Sequence, residues 1–276
     1  MNNREKRKYI AEDTLKILEQ GYFQTPNGQT VSIEAAQASA VENTLIYTPE
    51  MSDDLLSNRI SQPLTTSTII EVNGETTLNA TRQLLAAGYE DVLCLNFASA
   101  KNPGGGFLGG SQAQEESIAR STGLYNCQMK AWDYYEVNRH TKTCIYTDNM
   151  IYSPYVPILK DEAGPNLDHL ALASIITAPA VNFGVVKQRE QNSIPKVEAI
   201  MKRRIAKVLA IALKYGHKAI VLGAWGCGVF QNDPKDIAPW FKEVIDSQFK
   251  DEFKKIVFAV YARNERFIKP FLEVFA

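Results

Sequence analysis

Residues 92–116, VLCLNFASAKNPGGGFLGGSQAQEE, decide the fold class of this chain. The first six residues form a continuous apolar run, which is typical of a strand buried on both faces of a sheet. A glycine-rich loop at 103–110 follows, and a helix is predicted from about Ala113. In open α/β sheets a strand that leads through such a loop into a helix places a ligand at the carboxyl end of the strand.

The same alternation of strands and helices extends from Thr68 to the end of the chain, and it predicts an α/β sandwich with a largely parallel or mixed central sheet. A helix over about 4–20 precedes it and is stopped by Gly21, and the next forty residues show no clear period. Further strands are predicted at 68–72, 144–147, 150–158, 172–181, 219–224 and 255–262, and helices at 76–88, 195–216 and 237–249, with a last helix that ends at Phe275.

Composition and charge exclude several classes of protein. With 276 residues, 45% of them hydrophobic, the chain can bury a large core. A net charge of −1 creates no general attraction for nucleic acid, so no specific nucleic-acid partner is expected. The cysteines form no CxxC pair, and no apolar stretch reaches the length of a membrane span. We therefore expect a cytoplasmic protein with reduced thiols, no membrane association and no metal.

A second glycine-rich loop, GAWGCGVF at 223–230, also follows an apolar strand. Glycines let backbone N–H groups approach phosphate oxygens, and the N-terminus of the following helix favours negative charge, so the two loops together suit a diphosphate. Tight turns alone remain the alternative. Gly104, Gly106 and Gly109 match GxGxxG, but six residues separate the first of them from the strand, which argues against a dinucleotide fold.

Gln114, Glu115 and Glu116 stand near the start of the helix that follows the first loop. Neighbours on a helix point about 100° apart, so the two acids cannot face each other like a standard glycosidase pair. They can share the rim of a pocket, one as an acid and one as an anchor for sugar hydroxyls. Acids of a first helical turn, favoured by the helix dipole, are the alternative.

The spacing of GGGFLGGSQAQEE (104–116) resembles the signature of the poly(ADP-ribose) glycohydrolases, and GAWGCGVFQNDP (223–234) resembles that family's second phosphate loop. NFASAKNPGGG (96–106) and the N-terminal helix are similar to its microbial branch. The resemblance implies a macrodomain-like three-layer α/β/α sandwich with a mixed central sheet over 66–276, and an N-terminal helical extension over 1–65. It also implies an exo-acting enzyme that needs no cofactor and releases ADP-ribose from poly(ADP-ribose) or from ADP-ribosylated protein, and we expect a monomer.

The resemblance implies that Glu116 is the catalytic acid, that Glu115 and Gln114 line the ribose site, and that Phe230 packs on the ribose being cleaved. An apolar wall of Phe107, Leu108 and Phe230 would raise the pKa of the acid. The glycine loops would approach the ribose and the diphosphate through Gly104, Gly105, Gly106, Gly226, Cys227, Gly228 and Val229.

Four residues have weaker claims. Asn96 and Asn102 flank the first loop and could hold ribose hydroxyls, with turn chemistry as an equal alternative. Tyr261 and Phe267 could stack on adenine, although packing is as good an interpretation for each. Two other functions also remain open: a macrodomain that only binds ADP-ribose, and a hydrolase of a different ADP-ribose linkage.

Overall fold

A computed structural model describes residues 2–262 and 264–275. The helices are α1 (Asn3–Gln20), α2 (Glu34–Glu42), α3 (Pro49–Asn58), α4 (Thr77–Ala86), α5 (Gln114–Ser121), α6 (Leu124–Lys130), α7 (Trp132–His140), α8 (Phe183–Arg189), α9 (Val197–Lys214), α10 (Pro234–Gln248) and α11 (Lys269–Phe275). The strands are β1 (Tyr22–Gln24), β2 (Thr30–Ser32), β3 (Leu45–Tyr47), β4 (Ile69–Asn73), β5 (Leu93–Phe97), β6 (Met150–Lys160), β7 (Asn166–Ala178), β8 (Ala219–Leu222) and β9 (Lys255–Ala259). Among the described helices, none is long and apolar enough to cross a membrane.

The central sheet has seven strands in the order β3-β6-β7-β5-β8-β9-β4. From β7 to β4 all neighbours are parallel, whereas β6 and β3 are added antiparallel at one side. The predicted mixed sheet is therefore confirmed. The carboxyl ends of β5, β8 and β9 meet at one edge, which is where a ligand is expected in such a fold.

Strand β5 has apolar residues at successive positions because both of its faces are buried. Leu93 and Leu95 belong to the large core beneath α9 and α10, while Cys94 belongs to the core beneath α4, α5 and α6. Because successive side chains of a strand point to opposite faces, helices on both sides of the sheet demand apolar residues at every position. The result is a three-layer α/β/α sandwich.

The N-terminal region is joined to the sandwich in two ways. Strand β3 pairs with β6 and forms one edge of the central sheet, so the first 65 residues contain a strand of the core as well as helices. Helix α1 lies against the first glycine-rich loop, where Ala11 packs with Phe107 and Ala119. A domain boundary near residue 65 remains a prediction, and β3, which lies on the N-terminal side of it, is part of the central sheet.

The strand predicted at 144–147 is wrong, because these residues form an irregular loop. The carbonyl groups of Ile145, Tyr146 and Thr147 accept from the buried guanidinium of Arg204 instead of from a neighbouring strand. Tyr146 has a φ of 62°, which lies in the left-handed region and not in the range of regular strand backbone. The other predicted strands and helices are present, with ends shifted by a few residues; β7, for example, begins at Asn166 and ends at Ala178.

Candidate active site

A cavity of about 1190 Å³ opens at the carboxyl ends of β5, β8 and β9. Both glycine-rich loops and the start of α5 line it, together with the hairpin between β6 and β7 and the segment after β9. The predicted site residues that line this cavity are Asn102, Gly105, Gly106, Gln114, Glu115, Glu116, Gly226, Cys227, Gly228, Val229, Phe230 and Tyr261. Phe267 lines it as well.

The first glycine-rich loop approaches the carboxylate of Glu116 closely. The backbone N–H of Gly106 donates to Glu116 Oε1 at 3.0 Å. Gly105 has a φ of 59°, and a Cβ atom at this position would lie 2.5 Å from the same oxygen. Since real Cβ contacts are longer, only glycine allows the loop and the acid to be this close. The loop backbone therefore sets the position of the Glu116 carboxylate.

Glu115 lies at the floor of the cavity and is almost completely buried, with 3% of its surface exposed. One carboxylate oxygen accepts from Asn96 Nδ2 at 3.1 Å and from Gln128 Nε2 at 3.0 Å, and the other accepts from the N–H of Ser99 at 2.6 Å. Burial raises the pKa of Glu115 to about 8, against the lowering effect of these donors. The charge of Glu116 raises this pKa a little further.

Gln114 fastens the start of α5 to the end of β5. Its Oε1 accepts from the N–H of Phe97 at 2.8 Å, and its Nε2 donates to the carbonyl of Leu95 at 2.7 Å and to the hydroxyl of Thr77 at 3.0 Å. The amide is thus engaged within the protein on both sides. This places the two following carboxylates at fixed positions relative to the sheet.

The second glycine-rich loop is shaped by buried neighbours. Gly226 has a φ of 75°, and an added Cβ would lie 2.5 Å from both Ala180 Cβ and Asn232 Nδ2. Trp225 is fully buried, and its Nε1 donates to the carbonyl of Ala178 at 3.2 Å. Burial raises the pKa of the Cys227 thiol far above its ordinary value, so it remains a thiol.

Four residues that the sequence analysis placed at the site lie outside the cavity lining. Phe107 is 1% exposed and packs beneath α1, and Gly104 lies against its ring, where an added Cβ would be 2.7 Å from Phe107 Cδ1. Asn96 is fully buried and contacts Glu115 instead of the cavity. Leu108 is 43% exposed and does not line the cavity either. Of the predicted apolar wall, only Phe230 faces the cavity.

Sequence reasoning missed several residues of the site. Ser99 holds Glu115 through its backbone N–H, and Gln128 of α6, thirteen residues further along the chain than Glu115, holds it through its side chain. Glu162 lines the cavity from the hairpin between β6 and β7, and burial raises the pKa of its carboxyl group. Gln128 and Glu162 stand in no recognisable motif, so only the tertiary structure identifies them.

This arrangement defines the chain as a macrodomain-type α/β protein with a cavity formed by two glycine-rich loops and a pair of carboxylates. Among the described residues no group of three or more histidine, cysteine or acidic side chains is arranged to hold a metal ion.

Comparisons with known proteins agree with this class. The family model of the microbial-type poly(ADP-ribose) glycohydrolase (PARG) catalytic domain matches residues 11–161. The crystal structure of a poly(ADP-ribose) glycohydrolase from Thermomonospora curvata is 40% identical, with a TM-score of 0.94 over 98% of this chain and 99% of that chain. A second structure from that organism, bound to the inhibitor ADP-HPD, is 39% identical over 97% of this chain and 98% of that chain, with a TM-score of 0.90.

A poly(ADP-ribose) glycohydrolase from Deinococcus radiodurans in complex with ADP-ribose is 40% identical, with a TM-score of 0.77 over 87% of this chain and 94% of that chain. No match was found among curated proteins. The chain belongs to the microbial-type poly(ADP-ribose) glycohydrolases.

Proposed function

We propose that this glycohydrolase removes ADP-ribose units from the ends of poly(ADP-ribose), with Glu116 as its general acid. The observation that carries the proposal is the position of the Glu116 carboxylate, which the N–H of Gly106 holds at the wall of the cavity. Glu116 is only half-buried, whereas Glu115 beside it is almost completely enclosed. Membership of the family is the second support.

The two glycine-rich loops are the proposed diphosphate site. Both present backbone to the cavity at Gly105, Gly106, Gly226 and Gly228, and both precede helices whose N-termini favour negative charge. Tyr261 lies at the cavity with 70% of its surface exposed, which leaves its ring free to stack on adenine. ADP-ribose would then bind in an extended groove, its terminal ribose beside Glu116.

Cleavage of the bond between riboses passes through a state that resembles an oxocarbenium ion. As the C–O bond breaks, Glu116 gives its proton to the departing ribose oxygen, and the electron pair of the bond leaves with that oxygen. Water then adds to the anomeric carbon and returns a proton to the Glu116 carboxylate. Glu115, held by Asn96, Gln128 and Ser99, has no freedom to move with the reaction and is proposed to anchor sugar hydroxyls.

Helix α1 supports the proposal that cleavage occurs from chain ends. Its Ile10 lies against Gly164 of the hairpin between β6 and β7, and that hairpin contributes Glu162 and Ala163 to the cavity wall. Lys160, at the start of the hairpin, is buried and forms an ion pair with Asp13 of α1. We propose that this supported hairpin closes one end of the cavity, which would prevent a polymer from extending past a bound terminal unit.

Early product analysis with defined poly(ADP-ribose) tests the proposal. Steady release of ADP-ribose from slowly shortening chains is the expected result, and Glu116→Gln is the inactive control. Fragments of intermediate length in the first minutes would show internal cutting and refute the end-directed mode. Mono-ADP-ribosylated protein and unmodified protein, run in parallel, establish which linkages the enzyme accepts. A single species in sedimentation at 30.8 kDa would support the proposed monomer.

A further inference from the structure

The loop 143–149, between α7 and β6, is shaped from below by one buried guanidinium. Arg204 of α9 is fully buried, and its Nε donates to Asp148 Oδ1 at 2.8 Å. Its Nη2 donates to the carbonyl oxygens of Ile145 at 2.8 Å and of Tyr146 and Thr147 at 3.1 Å. Because one planar guanidinium donates to three consecutive carbonyl groups, the backbone of this loop is held in a single conformation.

Two further contacts fix the ends of the same loop. Glu190 accepts from the N–H of Cys144 at 2.7 Å, and Asn138 accepts from the N–H of Thr147 at 2.9 Å. Backbone donors and acceptors on both sides of Tyr146 are therefore engaged with side chains from α7, α9 and the end of α8. These contacts, and not the intrinsic backbone preference of tyrosine, therefore determine the conformation of Tyr146.

Tyr146 adopts a conformation that a tyrosine alone disfavours. Its φ of 62° lies in the left-handed region, where bulky residues are rare and strained. Such strain persists only where the surroundings impose it, and it is most common at functional sites. Here the strained backbone directs the Tyr146 ring onto Phe230, with ring centroids 5.9 Å apart and planes inclined at 41°.

Phe230 is one of the apolar side chains that the second glycine-rich loop presents to the cavity. Its carbonyl accepts from the N–H of Gly184 at 3.0 Å, which fixes its backbone, and the next residue, Gln231, is also left-handed with a φ of 57°. The Phe230 ring is only half-buried, so backbone contacts alone leave it a choice of rotamers. The contact with the Tyr146 ring would narrow that choice of rotamers.

We propose that Tyr146 is a positioning residue, which holds the Phe230 ring in the orientation that packs on the sugar being cleaved. The inference rests on the proposed function, in which Phe230 contacts this sugar and Glu116 protonates the leaving oxygen. Tyr146 itself is not a catalytic residue, since it does not line the cavity. Loss of the Tyr146 ring should lower kcat, because a sugar shifted by a fraction of an ångström places its leaving oxygen out of position for proton transfer from Glu116.

Tyr146→Gly tests the proposal, because glycine adopts the left-handed φ without strain and removes only the ring. We expect kcat on poly(ADP-ribose) to fall about tenfold or more, with the affinity for ADP-ribose, measured by calorimetry, changed less than about threefold. Because the Tyr146 ring is only half-buried, its removal should lower the melting temperature only slightly. Tyr146→Phe, which retains the ring, should restore kcat to near the wild-type value.

Tyr155→Gly is the matched control. Tyr155 is also a left-handed tyrosine, with a φ of 46°, but it is 47% exposed and its hydroxyl donates to Asp91 Oδ1 at the opposite end of β5. We expect wild-type kcat from this variant. A double-mutant cycle with Phe230→Ala completes the test: if Tyr146 acts through Phe230, then Tyr146→Gly should cause little further loss of kcat in the Phe230→Ala background.

Additive losses in that cycle, or equal losses of kcat in the Tyr146 and Tyr155 variants, would overturn the proposal. Wild-type kcat in Tyr146→Gly would overturn it as well. A wild-type protein that binds ADP-ribose but does not cleave the polymer would instead contradict the proposed function, so the two failures are distinguishable.

Discussion

Substitution of Gly105 by alanine should damage stability and catalysis together. Alanine in the left-handed conformation costs about 1–2 kcal/mol relative to glycine. The new Cβ would lie 2.5 Å from Glu116 Oε1, so the carboxylate must move and loses its hydrogen bond from Gly106 N–H. That charge-assisted bond contributes about 1.5–3 kcal/mol, and hydration of the half-buried carboxylate recovers part of it. We expect the free energy of unfolding to fall by about 2–4 kcal/mol.

The displacement also predicts a kinetic effect, because the proposed acid must move by more than half an ångström to restore a normal contact. Misplacement on this scale costs about tenfold to a hundredfold in kcat. Urea denaturation and initial rates on poly(ADP-ribose) measure the two effects. Gly74→Ala is the control, since Gly74 is not left-handed, has nothing within 4 Å of an added Cβ and does not line the cavity.

Equal stability of the Gly105 and Gly74 variants would show that the loop and the carboxylate are not in close contact. A Gly105 variant that is destabilised but retains full kcat would separate the loop from catalysis and refute the assignment of Glu116.

Two further predictions concern the carboxylates themselves. Glu116→Gln keeps an acceptor for the N–H of Gly106 but has no proton to donate, so hydrolysis should fall by about 10²–10⁴-fold while calorimetric affinity for ADP-ribose stays within about twofold; activity within tenfold of wild type would contradict the assignment. For Glu115, burial raises the pKa from 4.5 to about 8, so its contribution to stability is complete below about pH 4.5 and is lost as the pH rises toward 8. Wild type should therefore lose stability relative to Glu115→Gln between pH 5 and 8, by at most about 1.4 kcal/mol per pH unit. If urea denaturation gives the same difference in free energy of unfolding between wild type and Glu115→Gln at pH 5 and at pH 8, then Glu115 does not titrate in this range.

The parts of the fold that sequence analysis predicted are local. Strand β5, the glycine-rich loop and α5 are adjacent in the chain, and each has its own pattern: an apolar run, glycines, and a helical stretch that starts with acids. The errors arose where a distant residue overrides the local pattern. The apolar residues at 144–147 suggest a strand, but Arg204, nearly sixty residues away, donates to the carbonyls of the last three.

Phe107 illustrates the same limit within the site. Its place in the glycine-rich loop suggests a cavity contact, yet α1 covers that side of the loop and offers Ala11 as a packing partner. Only the docking of α1, more than ninety residues away in the chain, decides which way the ring points. Gln128 could not be predicted for the same reason, because its partner Glu115 lies on a different helix.

Adjacent acids on one helix acquire different surroundings because a helix turns about 100° per residue. One step rotates Glu115 toward β5 and α6, where Asn96, Gln128 and Ser99 occupy both of its oxygens. The next step turns Glu116 toward the loop, where a single N–H from Gly106 holds one oxygen.

A group that gives a proton to a leaving oxygen and later takes one from water needs access to both, and it needs an oxygen that is free to change partners. Glu116 is half-exposed and has an oxygen that no described donor contacts, whereas Glu115 has neither property. The assignment of the acid to the second glutamate thus has support from helix geometry and hydrogen bonding, independently of the family's motif.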